Sequence, residues 1–436
     1  MARVNARAIA PKNYEGGASV PLNAHEQLRR TVLSCLLWED GFYEDGQTVA
    51  QRIEALCAKV DHDDVAALAI EARNAHKLRH VPLYMVRALA RRKGLPPGLV
   101  SATLAEVIQR PDELTEFLAI YWRDGREPLS KQVKKGLAKA FNKFDAYQLA
   151  KYNRDNAIKL RDVLFMVHAN PKDEEQAAVW KQLVEGTLPI PDTWEVALSS
   201  GEDKKAAFER LLAEKKLGYM ALLRNLRNMA ESGVDKKMVE DALMAGAKRS
   251  KALPFRFIAA ARAVPAWEPM IDAAMMQAME GMAKIPGRTA ILVDVSGSMA
   301  DRLSSKSDLR RIDAACGLAI LARGVCDDVR VFTFSSALVE VPPRHGMSLA
   351  DAIIKSQPNA STYLGRAVSG LNKYAEYDRL IVITDEQSAD SVGCPTGKGY
   401  MVNVAHYENG VGYGDWTRIS GFSESIINYI SAIESA

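Results

Sequence analysis

The hydrophobic period of this chain changes once, near Pro286, and that change calls for two kinds of architecture in one molecule. From about Leu22 to Met282 apolar residues recur at helical spacing in segments of ten to twenty residues, with almost no strand-like alternation. The segments break at Gly94-Leu95-Pro96-Pro97, Arg110-Pro111, Asn170-Pro171, Pro189-Ile190-Pro191 and Val264-Pro265, where proline removes a backbone donor and restricts the residue before it. Successive amphipathic helices with short connections predict a HEAT-like α-helical solenoid, although no strict repeat period accompanies them.

Past Pro286 short β-branched runs alternate with helical patterns. Strands are predicted at Thr289–Val293, Val329–Phe334, Leu380–Thr384 and Tyr400–Ala405. Helices are predicted at Ile312–Val325, Leu349–Lys355, Leu364–Tyr374 and Glu424–Ile433. Apolar strands alternating with helices imply a parallel, doubly wound α/β sheet. A chain of 436 residues is too long for one ordinary core, so the reading is multidomain α plus α/β, divided at 1–283 and 284–436.

Composition narrows the class. The chain is 48% hydrophobic and 25% charged, as a globular protein is, which argues against long disordered tracts. No window approaches the ~20 apolar residues of a membrane span, and the N-terminus lacks a signal-peptide apolar run. A soluble, cytoplasmic protein with no membrane partner is therefore expected. Cys35, Cys57, Cys316, Cys326 and Cys394 are odd in number and contain no C-x-x-C pair, so reduced, mostly buried thiols are expected rather than a disulfide framework or a zinc site.

Chemistry concentrates first at the end of the first predicted strand. Asp294, Ser296 and Ser298 form D-x-S-x-S, and alternate residues of a tight loop can converge on one point. Carboxylate and hydroxyl oxygens are hard donors that suit Mg²⁺ or Ca²⁺ and not zinc. The pattern alone is weak, because Asp and Ser in such loops usually cap helices. Thr362, ahead of a helix, and Asp385, at a later strand end, complete a set that resembles the metal-ion-dependent adhesion site of von Willebrand factor A domains. The resemblance implies a divalent cation, most simply Mg²⁺, held by Asp294, Ser296, Ser298, Thr362 and Asp385, with one position open to an acidic group of a partner. A hydrolytic two-metal site would need more carboxylates. Asp301, Asp308, Glu386 and Asp390 are read as helix caps or solvent-facing groups.

Charge is segregated in the helical part. Residues 284–436 carry 15 Lys and Arg against 17 Asp and Glu; residues 1–283 carry 42 against 37. Within 121–161 there are 11 basic residues and four acidic ones, Asp124, Glu127, Asp145 and Asp155. On a helix, Val133, Leu137, Ala140, Phe141 and Phe144 share one face, and Lys131, Lys135, Lys139 and Lys143 share the other. A solvated surface is the bland reading, but so few neutralising partners favour a polyanion. A second block carries His76, Arg79, His80, Arg87 and Arg91. Its histidines at i, i+4 lack a third zinc ligand, which favours hydrogen bonding or RNA contact. A third block, Leu222 to Met229, sets Arg224, Asn225, Arg227 and Asn228 beside an apolar stripe. Structural ties between helices and RNA contact are equal contenders there.

The blocks HKLRHVPLYMVRALAR, LSKQVKKGLAKAFNKFDAYQLAKYNR, KLRDVLFMVHANP, LGYMALLRNLRNM and LPFRFIAAAR, in that order, resemble the TROVE module of the Ro 60-kDa autoantigen family over roughly residues 15–265. The A-type domain follows, as it does in that family. The resemblance implies a ring of HEAT-like repeats closed by a Rossmann-like A domain, and a non-catalytic, by default monomeric, RNA-binding protein. It implies small structured Y or Y-like RNAs on the basic outer surface and single-stranded 3′ ends of misfolded RNAs in a central cavity. DNA is not an expected partner; for bacterial members a 3′ exoribonuclease, polynucleotide phosphorylase, is. Carried onto this chain, the outer RNA contacts would be Lys131, Lys134, Lys135, Lys139, Lys151, Arg154, Lys159 and Arg161. Arg79, His80, Arg224 and Arg227 would be cavity or structural residues. Leu160 stands where some animal members carry a His, so the contact made there would be lost or replaced by Lys159. A protein-interaction scaffold acting through Mg²⁺ is the alternative; a metal-dependent nuclease is disfavoured by the low carboxylate count.

Overall fold

A computed structural model describes the chain apart from residues 1–11, 21, 36, 38–43, 200, 251, 253, 283, 304–307, 408–409, 412–413, 422–424 and 436. Two compact units emerge, one formed by residues 50–217 and the other by 1–49 together with 218–436.

The first unit is helical. Its helices include His62–Asn74, His80–Ala90, Leu99–Val107, Pro111–Tyr121, Lys131–Phe141, Ala146–Tyr152 and Leu160–Val167. Pro111 occupies the first helical turn, where its missing N–H costs nothing. Leu99–Val107 packs on both His62–Asn74 and Lys131–Phe141, and His80–Ala90 packs on Pro111–Tyr121. Helices that contact their next-but-one neighbour are the packing signature of a helical repeat array, so the predicted solenoid is present here. Gly136 permits the closest of these approaches, since a Cβ there would lie 3.0 Å from the Ser101 carbonyl oxygen and the Leu104 Cβ. Buried Glu113 accepts hydrogen bonds from Arg73 Nη2 at 2.6 Å and from the Gln109 amide at 2.7 Å. One carboxylate thus ties two helices and caps one of them.

The second unit contains a six-stranded sheet. Its strands are β1 (Ile285–Asp294), β2 (Cys326–Phe334), β3 (Leu338–Glu340), β4 (Arg379–Thr384), β5 (Lys398–Asn403) and β6 (Trp416–Ser420), in the order β3-β2-β1-β4-β5-β6. All neighbours are parallel except β2 and β3. The strand order reverses between β1 and β4, which makes the carboxyl ends of those two strands the expected binding crevice. Leu292, Phe332, Phe334, Val382 and Met401 form part of a buried core with Leu364, Val368 and Leu371 of the helix Leu364–Tyr374.

All four predicted strands and the helices Arg311–Val325, Gly346–Ile354 and Leu364–Tyr374 are present. The closing helix runs Ser425–Ser435, with Glu424 outside the described residues. The sequence reading missed β3, a three-residue edge strand, and β6, whose Trp-Thr-Arg-Ile-Ser alternation is too short to stand out.

The compact units do not divide where the hydrophobic period changes. The helices Tyr219–Glu231, Lys236–Ala247, Pro254–Ala263 and Glu268–Ala278 lie in the unit that contains the sheet, not with residues 50–217. Pro254–Ala263 packs on Arg311–Val325 at Gly317, where a Cβ would meet the Phe255 amide nitrogen at 2.9 Å. Arg262 pairs with buried Asp313 across the same contact. Asp272 accepts a hydrogen bond from the Met347 amide at 2.8 Å. The period reports local structure, whereas the units are set by which apolar faces meet. Among the cysteines, Cys35, Cys57, Cys316 and Cys326 are buried thiols and Cys394 is exposed.

Candidate metal centre and basic surfaces

β1 delivers Asp294 to the crevice, and the chain turns at once into a short helical turn over Gly297–Ala300. The Ser296 amide donates to Asp294 Oδ1 at 2.8 Å, and the Ser296 and Ser298 hydroxyls lie 3.5 Å apart. Thr384, at the end of β4, donates its hydroxyl to Asp294 Oδ2 at 2.6 Å, which locks the first carboxylate to the neighbouring strand. Asp385 follows; its Oδ1 accepts from the Gln387 amide at 3.1 Å. The Ser298 hydroxyl lies near enough to favour its charged form, yet Asp385 Oδ2 is buried with no hydrogen-bond partner of good geometry. Thr362 is held through its carbonyl, which accepts from the Ala389 amide at 2.8 Å and from the Ser388 hydroxyl at 3.4 Å. Ser335, just beyond β2, anchors the same loop by accepting from the Ala360 amide at 2.9 Å. All five predicted residues are almost completely buried.

Two buried carboxylates therefore lie close enough to influence one another. Burial and the nearby Asp385 charge push the Asp294 carboxyl up to about 7, and burial raises that of Asp385. Anions that repel one another in a buried site, with one oxygen left without a partner, are what a bound cation neutralises. The donor set of carboxylates and hydroxyls fits a hard divalent cation.

The neighbouring acids sort differently. Asp390 accepts from the Gly365 and Arg366 amides at 2.8 Å each and so caps the helix Leu364–Tyr374, as read from the sequence. Asp308 is exposed, and Asp301 sits 3.4 Å from Arg311. Glu386 is neither a cap nor solvent-facing. It is buried, and its Oε1 lies 2.8 Å from Arg30 of the helix Ala24–Ser34. Sequence offered little signal for this pair, because Arg30 stands beside Arg29 on a helix rich in polar residues.

The basic residues fall into two groups. Lys131, Lys135 and Lys139 are exposed on Lys131–Phe141, with Lys134 half-buried beside them. Lys143 leaves the row, because its ammonium caps the carbonyls of Ala105 and Ile108, and burial holds its pKa below the usual value. Arg154 and Arg161 are exposed, Lys159 is 2.6 Å from Asp155, and the Lys151 ammonium lies about 6 Å from the Tyr147 and Tyr152 rings. The second block is largely neutralised from within. Arg79 pairs with Asp112 and Glu116, and His80 Nε2 is 3.5 Å from Glu116. Arg87 pairs with Glu54 and Asp124, and Arg91 with Asp124 and Glu127. His76 pairs with Glu71, so the two histidines do not share a zinc site.

This pairing consumes Asp124 and Glu127, two of the four acids that opposed the 121–161 cluster, while Asp145 caps Ala146–Tyr152. The lysine row therefore presents more unopposed charge than the sequence count implies. In the other unit Arg224 and Arg227 are exposed on Tyr219–Glu231, and the Arg224 charge helps hold down the pKa of Arg256, for which burial is the main cause. Asn225 is buried and donates to the Ala221 carbonyl at 2.9 Å, and Asn228 donates to Asn225 at 3.0 Å, so these amides serve the helix itself.

A parallel sheet with a D-x-S-x-S loop at its switch point, carried on a chain rich in packed helices, defines a class of protein, and the comparisons agree with it. A model of the TROVE domain matches residues 185–284. The structure is similar to that of the Ro (RSR) protein of Deinococcus radiodurans, with a TM-score of 0.61 and 20% sequence identity over 94% of this chain and 99% of that one. Residues 185–284 thus resemble a TROVE domain, and the chain has the fold of the Deinococcus radiodurans Ro protein.

Proposed function

We propose that this is a non-catalytic RNA-binding protein of the Ro type. It would bind small structured noncoding RNAs of the Y or Y-like kind on its basic outer surface and single-stranded 3′ ends of misfolded RNAs in a central cavity. The observation that carries the reading is the exposed row Lys131, Lys135 and Lys139, together with the engagement of the nearby acids Asp124 and Glu127 by Arg87 and Arg91. Fixed, unopposed cations release condensed counterions from a phosphate backbone, which gives affinity without base reading. Arg224 and Arg227 would supply a second cationic surface suited to phosphate.

The metal centre takes a second role in this reading. Asp294, Ser296, Ser298, Thr362 and Asp385 would hold a divalent cation, Mg²⁺ in a cell, and the cation would supply a coordination position for one acidic oxygen of a partner. Two buried carboxylates are too few for two-metal hydrolysis, so binding is favoured over cleavage. A 3′ exoribonuclease such as polynucleotide phosphorylase is the partner that fits an RNA-presenting adaptor. No helix among the described residues is long and apolar enough to cross a membrane, and a cytoplasmic setting fits RNA surveillance.

Crosslinking the protein to RNA in cells and sequencing what copurifies tests the reading. Structured noncoding RNAs with unpaired 3′ ends should be enriched severalfold over total RNA. Recovery of RNA in the proportions of the total pool would contradict it.

A further inference from the structure

The metal loop is covered by the opposite end of the chain, and we propose that residues 13–34 position Asp385 and Thr362 and are thermodynamically coupled to the cation. Arg30, Asn13 and residues 17–20 are positioning elements of the centre. The inference rests on the cation-site reading above.

Three consecutive residues after Asp385 are each held from this segment. Glu386 Oε1 accepts from Arg30 Nη1 at 2.8 Å, while its Oε2 accepts from the Val411 amide at 2.9 Å. The Gln387 side-chain oxygen accepts from the Tyr14 amide at 2.8 Å. The Ser388 carbonyl accepts from Asn13 Nδ2 at 2.8 Å and from the Gly17 amide at 3.1 Å. Ser388 then passes the constraint on, because its hydroxyl contacts the Thr362 carbonyl and accepts from the Leu364 amide at 3.2 Å. The same segment is pinned beyond the loop, with the Val20 amide donating to the Gly410 carbonyl at 3.1 Å and Arg30 Nε to the Tyr407 carbonyl at 2.6 Å.

Glu386 has a φ of +57°, a left-handed conformation that costs a residue with a Cβ and persists where the surroundings enforce it. Here Arg30 and the Val411 amide hold the side chain, and the Thr384 hydroxyl accepts from the Glu386 amide at 3.0 Å. A loop that must adopt this turn to aim Asp385 is better preorganised while the segment is docked. Coupling is reciprocal: if docking raises cation affinity, the cation must stabilise docking by the same factor.

Gly17→Ala tests this without altering a loop residue. Its Cβ would lie 2.0 Å from the Ser388 carbonyl oxygen and would force the segment away. In the full-length protein, Mg²⁺ affinity by titration calorimetry should fall roughly 10–100-fold, the usual range for loss of an outer-shell support. In the wild type, Mg²⁺ should slow amide exchange at Gly17 and Val20. The double variant Arg30→Met/Glu386→Gln, which leaves no orphaned charge, should weaken Mg²⁺ similarly, and Arg30→Lys should retain more affinity than Arg30→Met. Wild-type Mg²⁺ affinity in Gly17→Ala, with exchange indifferent to Mg²⁺, would overturn the coupling and leave the cation site standing. Absence of Mg²⁺ binding by the wild type would overturn both.

Discussion

Replacing Lys131, Lys135 and Lys139 together with Gln is expected to weaken binding of a structured RNA roughly 10–100-fold at 0.15 M salt and to flatten the dependence of log affinity on log salt by about 2–3 units. Each lysine that meets a phosphate contributes slightly less than one unit of slope, and the row offers three in register on one helix face. The fold should survive, since Val133, Leu137, Ala140 and Phe141 on the opposite face carry the packing and Gln keeps helix propensity close to that of Lys. Filter binding or fluorescence anisotropy across a salt series reads both quantities. An unchanged slope would mean that the row is only a solvated face.

Asp294→Asn is expected to abolish Mg²⁺-dependent stabilisation. In the wild type a ligand at 100 times its dissociation constant contributes about 2.7 kcal/mol to the native state, and that gain should vanish in the variant. The pH dependence has a definite sign. The Asp294 carboxyl is raised from an ordinary 3.8 to about 7 by burial and by Asp385, so folding without metal favours its protonated form. Metal-free stability should therefore be greatest at low pH with respect to this group and decline as pH rises through about 7. Cation affinity should move the opposite way, strengthening from pH 6 to pH 8 as the carboxylate becomes available. At pH 8 without metal, Asp294→Asn should melt above the wild type, because it removes a buried charge that repels Asp385. Differential scanning calorimetry at pH 6 and 8, with and without Mg²⁺, checks all of these outcomes. A variant that Mg²⁺ still stabilises would show that the cation binds elsewhere.

Much of the fold was legible because hydrophobic period and proline breaks report local structure directly. The strand from Thr289 to Val293 and the stretch Ala314 to Ala322 of the helix Arg311–Val325 are buried enough to read as apolar runs. What sequence did not show was which faces meet. The helices between Tyr219 and Ala278 share the period of the solenoid, yet their partners include Arg311–Val325 and Gly346–Ile354, through contacts such as Gly317 on Phe255 that no pattern announces. The metal candidates were legible because alternation on a strand-end loop constrains direction. Glu386 was misread for the opposite reason: its partner Arg30 lies 356 positions away, and a buried ion pair looks in sequence like two ordinary surface charges. Lys143 shows the same limit. It has the spacing of the lysine row, but the carbonyls it caps belong to another helix.

The central claim is that this protein holds structured RNA with an unpaired 3′ end, and the affinity of the full-length protein for a single hairpin RNA, with and without a single-stranded 3′ tail, tests it most directly. Measured at 0.15 M salt with Mg²⁺ present, the tailed RNA should bind at least about tenfold more tightly, a difference of about 1.4 kcal/mol, and should remain intact. Equal affinity for the tailed and the blunt RNA would contradict the account.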